Sequence, residues 1–134
     1  MLARGTHFAD LFLLHGLELD RKDSKLTATI WWERLGKDPN TDWVFFIHEI
    51  DQNREVVANH SIPLSRLPPF RSDKPIRRDS ATIWLAGGGV NGLAVGFYQP
   101  ASGPLVADRG DRDWSERRLL LSLPGRAPVE RPGG

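Results

Sequence analysis

The chain has no cysteine in its 134 residues, which excludes disulfides and thiolate metal sites. It also lacks a long apolar run. The most hydrophobic stretch, Phe8 to Leu19, is interrupted by Asp10, His15 and Glu18, and falls short of the ~20 apolar residues that a helix needs to cross a bilayer. Arg4 precedes that stretch, but no small-residue cleavage site follows it, so no signal peptide is expected. Taken alone, the chain is expected to be soluble and to contain no membrane span. Its localisation is open.

An excess of one charge is missing as well. Eighteen basic residues face seventeen acidic ones, for a formal net charge of +1. Phosphate neutralisation supplies most of the affinity of a nucleic-acid binder, which therefore needs a basic surplus on one face. The local basic groups, Arg71–Lys74–Arg77–Arg78 and Arg117–Arg118, are flanked by Asp or Glu. No nucleic-acid partner is expected.

The length suits one domain, and a domain of this size buries roughly two-thirds of the surface that its unfolded chain exposes. Period-two hydrophobic patterns dominate, and long helical patterns are hard to find. Leu11 to Leu19 reads as a strand with Leu11, Leu13, Leu17 and Leu19 on one face, and His15 among them. In Leu26 to Trp32 the residues Leu26, Ala28, Ile30 and Trp32 face one way. Thr27, Thr29, Trp31 and Glu33 face the other. Such β-branched and aromatic content favours a pleated surface.

After the turn cluster Gly36–Asn40, Trp43 to Ile50 reads as a central strand, and Glu55 to Ile62 as the returning arm of a hairpin. Residues 63–79 hold Pro63, Pro68, Pro69 and Pro75 among charges and read as a long crossover loop, because proline removes a ladder donor. Ala81 to Ala86, Leu93 to Gln99, a short Leu105 to Ala107 and Arg118 to Leu123 complete the set, with Gly87–Gly92 as a tight connection. The expectation is an all-β fold: an antiparallel β-sandwich of jelly-roll or Greek-key type with seven to eight strands. Its divisions are a lead-in over 1–7, the sandwich over 8–123 and a disordered tail over 124–134.

Four stretches carry a family resemblance. They are Leu14-His15-Gly16-Leu17-Glu18-Leu19, Ala28-Thr29-Ile30-Trp31-Trp32, Asp42-Trp43-Val44-Phe45-Phe46-Ile47-His48-Glu49-Ile50-Asp51, and Val95-Gly96-Phe97-Tyr98-Gln99-Pro100 after a proline-containing crossover. In this order they resemble the C-terminal extracytoplasmic β-sandwich domain of bacterial multi-spanning membrane glycosyltransferases of the dolichyl-phosphate-mannose-protein mannosyltransferase type. The family usually has an acidic residue where Gln99 stands, and often Arg-Leu shortly after the next Gly; here the chain reads Gly103-Pro104-Leu105. The resemblance implies a non-catalytic accessory domain in the cell envelope, placed periplasmically or at the cell surface. Its implied partners are glycan or a membrane-embedded domain, while transferase chemistry belongs to the membrane portion of such proteins.

No catalytic constellation is apparent, and neither an enzymatic role nor a cofactor is expected. His48-Glu49-Ile50-Asp51-Gln52 misses the zinc-protease pattern, whose two histidines share one helix face. In a strand, four residues span about 13 Å. His48 is expected to be partly buried and hydrogen-bonded within the sheet. Asp108, Asp111 and Asp113 form an oxygen-rich loop of the kind that can hold calcium. The intervening Arg109 and Arg112 favour a salt-bridged turn instead.

Five tryptophans are many for a chain of this size. Indoles fill cores and also stack on sugar rings. Trp31 is expected to point outward, and with Glu33, Trp84 and Tyr98 it forms the candidate ligand-binding set. The competing expectation is a structural interaction or self-association module, in which these aromatics make a flat apolar patch without polar groups around it.

Overall fold

The computed structural model describes residues 2–35, 42–68, 73–87 and 90–123. The tail 124–134, the whole turn cluster Gly36–Asn40, residues 69–72 of the proline-containing crossover and the middle of the glycine-rich connection lie outside the described residues. In chain order the strands are β1 (Thr6–Phe8), β2 (Phe12–Lys22), β3 (Lys25–Arg34), β4 (Val44–Ile50), β5 (Val56–Pro63), β6 (Arg77–Trp84), β7 (Gly92–Gln99), β8 (Gly103–Pro104) and β9 (Leu119–Ser122). Short 3-10 turns occupy Leu64–Arg66 and Arg112–Trp114.

Two antiparallel sheets result, as the period-two pattern requires. The first has the order β1-β2-β3-β6; the second has the order β5-β4-β7-β8, with β9 also paired to β7. The all-β sandwich expected from the sequence is the observed fold, with nine strands where seven to eight were expected. The additional strands are the shortest ones, β1 and β8, whose three and two residues carry too little pattern to be read.

The core lies between the sheets. Phe8, Phe12, Leu14, Leu17, Ile30 and Trp32 from the first sheet meet Phe45, Ile47, Leu93, Val95 and Phe97 from the second. Phe97 sits at its centre, stacked on Phe12 at 4.2 Å between ring centroids and edge-on to Phe8 at 5.0 Å. Each such aromatic pair contributes about 0.5–1.5 kcal/mol beyond its buried area.

Three local readings change. In β2 the alternation slips, because the register with β3 shifts between Leu14 and Gly16. Phe12 and Leu14 therefore face the core before this bulge and Leu17 after it, while Leu11 and Leu13 are only half-buried. An extra residue in one strand reverses the parity of everything beyond it. β6 starts at Arg77, within the stretch read as crossover, and ends at Trp84. Leu105 to Ala107 is not a strand; Ala107 makes only an isolated bridge to Phe8.

That bridge belongs to a strap. Ala9 N–H donates to Val106 O, and Asp108 N–H to His7 O, before the chain returns to β9. The strap thus joins the β1 edge of the first sheet to the second.

Candidate functional site

β3 places alternate residues on opposite faces. Leu26, Ala28, Ile30 and Trp32 enter the core, leaving Thr27, Thr29, Trp31 and Glu33 on the outer face of the first sheet. Trp31 is half-buried there, between Gly16 of β2 and Arg78 of β6 as its cross-strand partners. The Arg78 guanidinium carbon lies 5.9 Å from the Trp31 ring centroid, within cation–π range. Gly16 offers no side chain to cover the ring from the other side.

Polar pairs flank the indole along the strand. His15 Nε2 donates to Glu33 Oε1 at 2.9 Å, and the Thr29 and Ser80 hydroxyls lie 3.4 Å apart. The β2 bulge helps to create this arrangement, because the residue it inserts is His15, opposite no residue of β3. Trp31 is therefore framed by a guanidinium, an imidazole–carboxylate pair and two hydroxyls. A flat apolar patch would lack all of them.

Trp84 shares this outer face. It lies opposite Lys25 and is 67% exposed. Six residue steps along the ladder separate that pair from Trp31 and Arg78, a distance of about 20 Å. Beside Lys25 is a depression lined by Asp20, Lys22, Lys25 and Thr27. Tyr98 is not brought to these indoles. It points outward as its alternation with Phe97 implies, but β7 belongs to the second sheet, so Tyr98 sits opposite Val44 on the other outer surface, 6.2 Å from Phe46 between centroids. Of the candidate set, Trp31 and Glu33 are neighbours, Trp84 lies at the far end of the same face, and Tyr98 lies elsewhere.

The three loop aspartates are each held by a basic side chain, and Asp111 and Asp113 share Arg54, whose Nη1 lies 3.6 Å from Asp111 and 3.4 Å from Asp113. Asp108 accepts from His7 Nδ1 at 3.2 Å, Asp111 from Arg118 Nε at 2.9 Å, and Asp113 from Arg54 Nη1 at 3.4 Å. Among the described residues no group of three or more His, Asp or Glu side chains is arranged to hold a metal ion.

The outer face of the second sheet carries a cluster that the sequence did not disclose. Phe46 lies over Gly96, where a Cβ would stand 2.5 Å from the ring. His48 stacks on Phe46 at 4.4 Å and meets the edge of Trp114 at 6.1 Å. Over Trp114, at 4.1 Å, lies the guanidinium of Arg118, a fully buried arginine paired with Asp111 and donating to Arg54 O at 3.0 Å.

His48 is not hydrogen-bonded through Nδ1, as expected of a sheet histidine; that atom is buried without a partner among the described residues, as is Arg118 Nη1. Burial, with Arg118 and His60 adding like-charge repulsion, lowers the His48 pKa to about 4. The imidazole is neutral at pH 7.

The buried, bonded member of that stretch is Glu49. Its carboxylate is fully buried, accepting from His60 Nε2 at 2.5 Å and from Ala86 N–H at 2.8 Å. It thereby ties β4 and β5 of the second sheet to the end of β6 in the first. Its alternation with Phe45 and Ile47 marks it as inward-facing, a signal legible in the sequence once the strand phase is known.

Searches against protein families, curated proteins and solved structures return no match to this chain.

Proposed function

We propose that the chain is a non-catalytic accessory β-sandwich domain that contacts glycan through the outer face of its first sheet, with Trp31 as the stacking residue. One observation carries this reading. The indole stands within a polar frame of Arg78, the His15–Glu33 pair and the Thr29–Ser80 hydroxyls. A sugar ring presents an apolar C–H face bordered by hydroxyls, so it needs an aromatic surface with donors and acceptors around it. Stacking on the covered side of Trp31 would displace the Arg78 guanidinium, leaving it free to donate to sugar hydroxyls. The cell-envelope glycosyltransferase setting rests on the order of sequence landmarks, and it predicts multi-spanning membrane segments encoded upstream of Met1 in the native reading frame.

The test is calorimetric titration of the domain and of Trp31→Ala with neutral oligosaccharides. Millimolar binding that Trp31→Ala weakens at least tenfold supports the reading. No heat and no quenching of tryptophan emission at millimolar sugar would remove the glycan role.

A second reading, a strand-pairing or self-association module, draws on β5. Among the described residues its outer edge has no strand partner. It carries no Asp, Glu, Lys or Arg from Val56 to Pro63, and Val56 and Val57 are exposed. Edge strands usually carry charges that block pairing. Sedimentation of the domain across a concentration series distinguishes the readings, since this one requires dimers or larger species.

A further inference from the structure

We propose that the glycan is an extended, neutral chain, lying along β3 and β6 from Trp31 to Trp84, and that Trp84 with the depression beside Lys25 forms a second sugar subsite. This rests on the glycan reading above and specifies the class of ligand.

Trp31 and Trp84 sit on different strands, yet the β3–β6 register puts Trp31 opposite Arg78 and Trp84 opposite Lys25, all on the outer face. The two indoles are therefore the aromatic ends of one track about 20 Å long. A monosaccharide or disaccharide cannot reach both.

Between the ends the track is polar. Thr27 lies opposite Thr82, and Thr29 opposite Ser80, giving two successive hydroxyl rungs. Hydroxyls both donate and accept, so they match a polyol without demanding one orientation of each sugar hydroxyl. Aliphatic side chains, which would suit a protein partner, are absent from these rungs.

Charge on the face selects for a neutral chain. Lys22, Lys25 and Arg78 are offset by Glu18, Asp20 and Glu33, all on the same outer surface. A polyanion such as a uronate or phosphate polymer would meet three carboxylates along with the cations. A neutral glycan can use both signs as hydrogen-bond partners.

The Trp84 end is more than an exposed ring. Lys25, the cross-strand partner of Trp84, also borders a depression between β2 and β3 lined by Asp20, Lys22, Lys25 and Thr27, which supply an acceptor, two cationic donors and a hydroxyl one strand over from the indole. An indole with a cationic donor opposite it and an acceptor and a hydroxyl one strand further on offers a sugar both a stacking face and hydrogen-bond partners.

The experiment uses unbranched neutral oligosaccharides of the malto-, cello- and manno-series, each from monosaccharide to hexasaccharide, titrated into the domain and into Trp84→Ala and Trp31→Ala. Circular dichroism first establishes that both variants retain the sheet spectrum. For at least one series the affinity should rise about tenfold from disaccharide to hexasaccharide, equivalent to one further stacking contact. Trp84→Ala should abolish that rise, so that hexasaccharide binds no more tightly than disaccharide. Binding that Trp31→Ala weakens but that neither grows with length nor responds to Trp84→Ala would overturn the extended track and leave the glycan reading standing. Absence of binding by every oligosaccharide would overturn the reading on which the track rests.

Discussion

Arg78 and Trp31 are direct cross-strand partners on the outer face of the first sheet, with the guanidinium 5.9 Å from the indole centroid. Because Arg78 is exposed, the contact contributes about 0.5–1 kcal/mol to folding. Replacing Arg78 by Ala should lower unfolding free energy by no more than that amount in urea titrations. It should also red-shift part of the tryptophan emission, as the ring loses its cover. A larger loss of stability would assign the pair a folding role and weaken its reading as a displaceable contact.

Glu49 is the pin between the sheets. Glu49→Ala removes the acceptor of the Ala86 N–H and of the half-buried His60 and leaves a gap at a fully buried position, so it should cost on the order of 1–3 kcal/mol. Glu49→Gln keeps a carbonyl oxygen able to accept from Ala86 and should cost clearly less. Equal losses in the two variants, measured by urea unfolding, would show that the carboxylate is not acting through these bonds.

Arg118 and Asp111 form an ion pair whose side chains are 1% and 2% exposed. Removing one member strands the other charge away from water, so Asp111→Ala should destabilise by about 3–5 kcal/mol. The double replacement Asp111→Ala with Arg118→Met should recover part of that loss, since no uncompensated charge remains. Additive losses would contradict the pairing.

His48 makes stability depend on pH. Its pKa is about 4 in the folded chain against an ordinary 6.5. Above about 6.5 both states hold a neutral ring. As the pH falls from there toward 4, the unfolded chain takes up a proton that the folded chain excludes, so stability declines across that window. The groups acting on the ring are Arg118 and His60, with Phe46 and Trp114 against it. His48→Phe should flatten the decline between pH 6.5 and 5. An unchanged slope in equilibrium unfolding would contradict this.

The sequence made some of this legible and hid the rest for physical reasons. β3 was read correctly because no bulge interrupts it, so the outward Trp31 and inward Trp32 follow from parity alone. In β2 the residue inserted at His15 reverses the parity midway, so one face does not carry Leu11, Leu13, Leu17 and Leu19 together, and the slip appears only when β3 is laid beside it. Tyr98 alternates with Phe97 and so lies on an outer face, but parity says nothing about which sheet a strand joins, and β7 belongs to the second. Partnerships such as Glu49 with Ala86 or Arg118 with Arg54 connect residues 37 and 64 positions apart. No local pattern encodes them.

The most direct test of the sugar-contact face is a proton–nitrogen correlation spectrum of the five indole N–H groups during titration with a neutral hexasaccharide. The Trp31 and Trp84 resonances should move together and saturably, while those of the core residues Trp32 and Trp43 stay in place. Stationary Trp31 and Trp84 signals, or movement confined to Trp114 on the opposite sheet, would contradict it.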